Sequence, residues 1–314
     1  MVLNGRPRIG TVFAPNRPIA ELPDAARQVE NLGLDELWLV EDCFLHGGLT
    51  AAAAALAVTG HLSVGVGLLP AAVRNPAIVA MELATIANLY PRRFQAAFGH
   101  GVDAWMRQIG ARPPNRLVAL EEVVGSVRAL LHGEAVSVDG RFVTLDGVRL
   151  EAPPEEPPPV LIGTTGERGV ALAADVADGL LLPEGSGEAT IGWARGVLDS
   201  GQRLVAYAWL SVDEDPDRAR AALLPQVRRW REMGLYPGLY ARSGFPGPEA
   251  VEPADVDRVA IAGTPAECAK ALLRFASEGA ATVVVVPVAD DPAEQLARFA
   301  EDVLPLVLAD RMGR

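Results

Sequence analysis

Residues 62–98 read LSVGVGLLPAAVRNPAIVAMELATIANLYPRRFQAAF. A short aliphatic run (62–68), an apolar helical pattern (77–89) opened by Asn75 and Pro76 as cap and first turn, and a second short run (94–98) follow one another. Strand, helix and strand in succession make the repeating unit of a parallel sheet. The unit recurs in both directions along the chain. Candidate strands lie at 8–13, 36–40, 62–68, 94–98, 160–163, 179–182, 203–210 and 282–286. Helical patterns lie near 22–32, 50–60, 77–89, 117–131, 168–177, 190–200, 215–233 and 265–277, with a last one at 292–309. In the clearest, Leu117, Leu120, Val123, Val124, Val127, Leu130 and Leu131 share one face. Eight strands alternating with helices predict an α/β TIM barrel, because the eighth strand can pair with the first and remove both edges.

The chain of 314 residues is long enough for such a barrel as a single domain, residues 1–314. Half of its residues are hydrophobic, and no apolar run approaches the ~18 residues needed to span a membrane. The net charge of −12 repels phosphate backbones and anionic lipids, so neither nucleic acid nor membrane is expected as a partner. No signal-peptide pattern opens the chain, and Cys43 and Cys268 are too few for a disulfide framework, which together predict a cytoplasmic protein. Two segments break the rhythm. Residues 134–159 hold two alternating runs punctuated by Asp139-Gly140 and Asp146-Gly147, the pattern of a β-hairpin inserted before strand five. Residues 234–257 are rich in Gly, Pro and Tyr without periodicity, and read as a loop insertion, either a lid or a plain excursion.

A barrel of this kind carries its active site at the C-terminal ends of its strands. After strand two comes Glu41-Asp42-Cys43-Phe44-Leu45-His46; after strand three, Leu69-Pro70; after strand four, Gly99-His100-Gly101-Val102-Asp103; after strand five, Thr164-Thr165-Gly166-Glu167-Arg168. In the last of these, the amides of Thr165, Gly166 and Glu167 fall at a helix N-terminus, where an anionic group is favoured. The alternative is an ordinary turn capped by Thr164 or Thr165. Gly65 and Gly67 inside strand three mark a bulge or the close approach of a ligand, or else tight layer packing. His46, His61, His100 and His132 lack metal-ligand spacing, so no metal is expected. Glu41 and Asp42 would raise the pKa of Cys43, which argues against a nucleophilic thiol. Cys268 reads as core. Neither a phosphate-binding loop motif nor a dinucleotide fingerprint occurs.

The segments at 36–44 (ELWLVEDCF), 64–101, 117–150, 158–182 (PPVLIGTTGERGVALAADVADGLLL) and 262–286 resemble the bacterial luciferase-like superfamily across nearly the whole chain. Phe98-Gly99-His100-Gly101 with Trp105-Met106 and Ile109-Gly110 is most similar to its deazaflavin-dependent branch, which includes methylenetetrahydromethanopterin reductase and the glucose-6-phosphate dehydrogenase of actinobacteria. The resemblance implies a luciferase-like TIM barrel that binds coenzyme F420, or alternatively FMN, at the strand ends. It further implies a non-prolyl cis peptide at Gly67–Leu68 or Val66–Gly67, contact of Asp42 with the ring, His100 and Gly101 at the ring edge, and the cofactor phosphate at Thr165, Gly166 and Glu167, after Thr164. It also implies a homodimer. Two departures bear on the substrate: Cys43 and Val102 stand where the sugar-phosphate dehydrogenases carry a histidine and a glutamate.

These residues lead to an F420-dependent oxidoreductase, with the cofactor carrying the hard chemistry and the barrel supplying orientation. His100, Glu41 and Asp103 are the candidates for moving a proton. Their alternatives are a hydrogen-bond donor packed on the ring, a salt-bridge partner and a helix cap, respectively. Cys43, Leu69, Trp105, Tyr236 and Tyr240, with Phe245, are expected to wall the substrate pocket. An apolar lining of Leu68, Leu69, Ala71, Ala72 and Val102 points to a neutral or weakly polar small molecule with a C=C or C=N bond. An FMN-dependent monooxygenase is the second reading, and a catalytically silent flavin-binding relative the third.

Overall fold

The computed structural model describes residues 6–234, 236–245, 251–289 and 291–309. In chain order its strands are β1 (Arg8–Phe13), β2 (Glu36–Leu39), β3 (Ser63–Pro70), β4 (Phe94–Gly99), β5 (Val136–Asp139), β6 (Thr144–Val148), β7 (Val160–Gly163), β8 (Gly179–Leu182), β9 (Arg203–Val212), β10 (Ala260–Gly263) and β11 (Thr282–Pro287). Its helices are α1 (Leu22–Asn31), α2 (Gly48–Ala57), α3 (Pro76–Leu89), α4 (Asp103–Gln108), α5 (Arg116–Leu131), α6 (Glu167–Val176), α7 (Glu188–Val197), α8 (Pro216–Glu232), α9 (Pro237–Arg242), α10 (Pro265–Ser277), α11 (Pro292–Arg298) and α12 (Leu304–Ala309). Among the described residues, eight parallel strands close into a barrel in the order β1-β2-β3-β4-β7-β8-β9-β11, with β11 returning to β1. All eight were legible as aliphatic runs, and their ends differ from the expected ones by two residues at most. The chain is therefore an α/β TIM barrel. Residues within 134–159 form the antiparallel β5–β6 pair outside it.

Strand periodicity sorts the side chains into two layers. Along β11, Val283 and Val285 pack outward against the helices, whereas Val284 joins Trp38, Ala97, Leu161, Leu181, Val205 and Tyr207 inside the barrel. Trp38 is fully buried, and a Cβ at Gly65 on the neighbouring strand would lie 2.5 Å from its ring, so only glycine fits there.

The N-terminal floor of the barrel is closed by charge. Glu36 has no exposed surface. Its carboxylate accepts from Arg8 Nε at 2.6 Å, Trp38 Nε1 at 2.9 Å, Gln95 Nε2 at 2.9 Å, Arg203 Nη2 at 3.1 Å and Thr282 Oγ1 at 3.3 Å. These donors come from β1, β2, β4, β9 and β11, so one side chain ties five strands at a single level.

The sequence reading misses one strand and one helix. β10 pairs in parallel with the last four residues of β9, beyond the point where β8 ends, and raises one side of the rim. The described part of 234–257 is not an aperiodic loop: it holds α9 and a 3-10 turn at Pro253–Arg258. Leu239, Tyr240 and Val256 from this segment are buried with Leu223 and Val227 of α8 and with Trp209, in a cluster separate from the main core. Residue 235 and residues 246–250 of the expected lid lie outside the described residues. The AIAG of β10 has too few large aliphatic side chains to read as a strand, and the Pro237-Gly238 start of α9 reads as a turn. No helix among the described residues is long and apolar enough to cross a membrane.

Replacing Glu36 by alanine leaves Arg8, Arg203 and the Trp38 indole N–H facing a void. The expected cost is about 3 kcal/mol, read as a lowered midpoint in urea unfolding; a wild-type midpoint would show that the floor does not depend on this carboxylate.

Candidate active site

The strand ends differ sharply in what they present. On β3 the ladder to β4 skips a residue: Gly67 opposes Ala97 and Leu69 opposes Phe98, leaving Leu68 bulged. The Gly67–Leu68 peptide is cis, at the first of the two bonds that the resemblance implied. A second cis bond, Cys43–Phe44, had no signal in the sequence. Leu68 turns into the barrel and rests on glycines. A Cβ at Gly99 would lie 2.4 Å from Leu68 Cδ2, and one at Gly163 would lie 2.7 Å from it. Leu69 points the other way into the helix-facing core with no exposed surface, so it does not wall a substrate pocket. Ala71 is buried in the same core, which removes two members of the expected apolar lining.

Glu41 is not placed to move a proton. Its two oxygens take both Nη atoms of Arg74, at 2.6 and 2.8 Å, and also accept the amide of Gly48 at the start of α2. It anchors the β2 turn. Asp42 beside it has no such partner, and burial raises its pKa. Burial also raises the pKa of Cys43, with the charges of Glu41 and Asp42 adding to the effect, so this thiol is no nucleophile.

Past β4, burial lowers the pKa of His100, with the Arg116 charge acting in the same direction, so its imidazole is neutral at pH 7. Its buried Nδ1 has no hydrogen-bond partner. Gly101 follows in the left-handed conformation, with φ +66°, and a Cβ there would meet Met106 Sδ at 3.0 Å. Asp103 is likewise not a proton carrier. It is the first residue of α4 rather than its cap, and it pairs with Arg107, with Arg112 at 2.7 Å and with Arg116 at 3.7 Å. The hydrogen bond from Arg112 leads in holding its carboxyl below the usual range, the wrong direction for an acid at neutral pH. Trp105 lies half-buried on the same helix.

Between β7 and α6 the turn opens onto a cleft of about 860 Å³ lined by His100, Thr164, Thr165, Gly166, Glu167 and Tyr236, and by Arg112, Arg116, Arg168 and Arg242. The cap residue of α6 is Gly166, and no side chain caps the helix; neither threonine plays that part. Amides at the start of a ten-residue helix therefore face a cleft with four arginines, within a chain whose net charge is −12. Arg242 reaches Glu167 at 3.4 Å and stacks 3.6 Å over the Trp193 ring. Tyr240, expected on the pocket wall, is 1% exposed and packs with Phe245 in the α8–α9 cluster; only its hydroxyl nears the rim, 3.2 Å from where a Cβ on Gly185 would sit.

Two residues at the mouth escape the sequence reading. Glu184 follows β8, is partly exposed, and has its pKa pushed up to about 7 by burial, with the Asp42 charge adding to the rise. Tyr207 on β9 is 4% exposed, its hydroxyl has no partner and would lie 2.7 Å from a Cβ on Gly67. The usable signal for Glu184 was its place two residues past a strand end, in Leu182-Pro183-Glu184. Among the described residues, no group of three His, Cys, Asp or Glu side chains is arranged to hold a metal.

Comparison with known proteins follows this geometry. The family model for luciferase-like monooxygenases matches residues 5–282. The chain is 26% identical over 223 residues to a 5,10-methylenetetrahydromethanopterin reductase of Methanolobus tindarius, covering 68% of each chain. It is also 26% identical over 326 residues to an F420-dependent glucose-6-phosphate dehydrogenase of Kineococcus radiotolerans, covering 94% of each. Among solved structures it is similar to the coenzyme F420-dependent tetrahydromethanopterin reductase of Methanopyrus kandleri, with a TM-score of 0.83, 19% identity, and coverage of 96% of this chain and 99% of that one.

Glu184 gains protons on folding, so it weighs against the folded state above its unfolded pKa near 4.5 and most heavily above about 7. Glu184→Gln is accordingly expected to stabilise the protein at pH 8 by about 1–3 kcal/mol, with no gain at pH 4. Thermal unfolding of both proteins at the two pH values checks this, and an equal effect at both would place Glu184 in open solvent.

Proposed function

Since the chain belongs to the luciferase-like monooxygenase family, we propose that it is an oxidoreductase using coenzyme F420 to move a hydride to or from an unsaturated small molecule with a C=C or C=N bond. The observation that carries this reading is the cleft where the uncapped start of α6 meets Arg112, Arg116, Arg168 and Arg242. Relatives named for coenzyme F420 support it.

The residues present fit such a cofactor. The amides of the 164–169 turn and the arginines around it suit a phosphate and further carboxylates. Asp42, Gly67, Leu68, His100 and Gly101 line the mouth on which a flat ring would lie, and the unpartnered Nδ1 of His100 offers it a hydrogen-bonding atom. When bound, the deazaflavin supplies the carbon that gives or takes the hydride. Everything else falls to the chain. Leu68, backed by Gly99 and Gly163, sets a fixed apolar surface under the ring, and the Glu41–Arg74 pair holds the Asp42 turn in place. His100 is neutral and takes part as a hydrogen-bonding group. Sugar phosphates fit poorly, because Cys43 and Val102 replace the groups that the resemblance assigns to their proton chemistry.

A homodimer is the second part of the reading. Ile78, Met81 and Leu89 of α3 are 51%, 52% and 63% exposed, an apolar stripe that a second copy would cover. Location in the cytoplasm belongs to the same proposal.

Fluorescence titration of the purified protein with coenzyme F420 and with FMN in parallel tests the cofactor. Micromolar F420 binding with much weaker FMN binding is expected, and Arg116→Ala should weaken F420 binding by about tenfold, the weight of one lost charge-assisted bond. Preference for FMN would turn the reading to oxygen chemistry. Sedimentation velocity is expected to give a dimer for the wild type and a monomer for Met81→Asp; a monomeric wild type would leave the α3 stripe to another role.

A further inference from the structure

The end of the barrel opposite the mouth holds a cavity of about 410 Å³, bounded by the starts of β1, β3, β4 and β9, the end of α3 and the prolines that lead into β7. Arg8 and Arg203 build its polar end. Both guanidinium groups lean on one carboxylate, Glu36, at 2.6 and 3.1 Å, and the adjacent acid in the chain, Asp35, is taken by Arg6 at 2.8 Å. One negative charge between two positive ones leaves a cation to spare, since Arg92 at the edge is matched by Glu156 at 3.3 Å. Hydrogen-bond donors are left over as well. Among the described residues, Arg8 uses Nε and Nη2, on Glu36, the Asp35 carbonyl and Ser63 Oγ, and Arg203 uses Nη2, on Glu36 and Thr282 Oγ1. Arg8 Nη1 and Arg203 Nε and Nη1 have no partner there, and none of the three is a buried atom, so they open onto solvent where the two side chains line the cavity. Behind them Gln95 is 2% exposed and its Oε1 has no partner, so hydrogen bonding is incomplete at this end of the cavity. The remaining wall is apolar: Phe94 and Ala87 are buried, the Tyr90 ring is half-buried, and prolines 157–159 close the side.

We propose that this cavity is a second binding site, for a small monocarboxylate on a flat apolar body, its carboxylate held by Arg8 and Arg203 and its body laid against Phe94 and the prolines. The site stands apart from the redox reading and does not depend on it. A planar guanidinium with two free N–H groups matches a carboxylate two bonds at a time, and a volume of this size takes a single substituted ring. The charge count sets the class. A monoanion balances the spare cation, a dianion would bring a second negative charge beside the fully buried Glu36, and a cation would face Arg8, Arg203 and Arg92 together. Because the same two guanidinium groups also hold Glu36, a ligand here bears on the closure of the barrel and touches none of the residues at the strand C-termini, which makes it an effector rather than a substrate.

Three probes of one shape separate charge from fit: benzoate, benzamide and benzamidinium. They are titrated calorimetrically at low ionic strength into the wild type, into Arg203→Gln and Arg92→Gly at the floor, and into Arg116→Ala at the mouth, where the other arginine cluster lies. Benzoate is expected to bind at least about tenfold tighter than the neutral and cationic probes, the weight of one charge-assisted bond. Arg203→Gln keeps an amide donor for Glu36 and should weaken benzoate about tenfold, Arg92→Gly should weaken it about threefold, and Arg116→Ala should leave it unchanged. Arg92 has a side chain 78% exposed and a φ of +63°, which glycine adopts freely, so this variant decides the matter if Arg203→Gln does not fold. No benzoate binding, equal or tighter binding of benzamide or benzamidinium, a benzoate affinity indifferent to the folded floor variants, or one lost in Arg116→Ala would overturn the proposal.

Discussion

Glu36, a carboxylate without exposed surface, accepts hydrogen bonds from five strands at the floor of the barrel, and the geometry of the mouth depends on that closure. The link is physical. Glu36 fixes the indole of Trp38; that indole fills the space where Gly65 has no side chain and meets Tyr207 edge-on with ring centroids 5.8 Å apart; and Tyr207 sends its hydroxyl up to Gly67 beside the bulge. A buried charge is tolerated here because it is almost completely partnered. The same economy is absent at the other end of the barrel, where among the described residues His100 Nδ1 and the Tyr207 and Tyr240 hydroxyls have no hydrogen-bond partner and Asp42 and Glu184 have no ion pair. Floor and rim thus differ: hydrogen bonds to one carboxylate hold the floor, where among the described residues Gln95 Oε1 is the one buried side-chain atom left over, and unpartnered groups collect at the strand ends where barrels of this kind carry their sites.

What was legible in the sequence follows from what has a period. Parallel strands buried on both sides are continuous apolar runs, so all eight barrel strands stood out, and Gly65 and Gly67 within one of them marked the bulge. β10 escapes because its AIAG lacks the run of large aliphatic side chains that marks the equally short β7 and β8, and α9 because its opening Pro237-Gly238 reads as a turn. At the site, the residues beside a strand end were found and their roles often were not. Glu41 looks like an acid until Arg74, 33 positions away, is seen to hold both its oxygens. Asp103 could have been read better, since Arg107, Arg112 and Arg116 follow it closely in the chain. Glu184 is one acid among 40 in the chain, and its raised pKa comes from neighbours that only the closed barrel brings near.

Charge is distributed in a way that the net value of −12 hides. Arg112, Arg116, Arg168 and Arg242 gather at the start of α6, beside β7, while among the described residues Asp42 after β2 and Glu184 after β8 make no ion pair. A positive patch of this kind on a negatively charged chain draws anions to one part of the opening before any close contact forms.

β9 belongs to two structures at once. Its first four residues pair with β8 and residues 205–210 with β11 within the barrel, and its last four pair with β10, which together with α8 and α9 encloses an apolar cluster of its own around Trp209, Leu223 and Val256. Such a unit is able to open as a local cooperative block while the barrel stays closed. The tyrosines at that rim therefore sit on a part of the protein that can be rebuilt without spending the stability of the whole, and descendants of this chain are free to alter what they bind while inheriting an unchanged barrel.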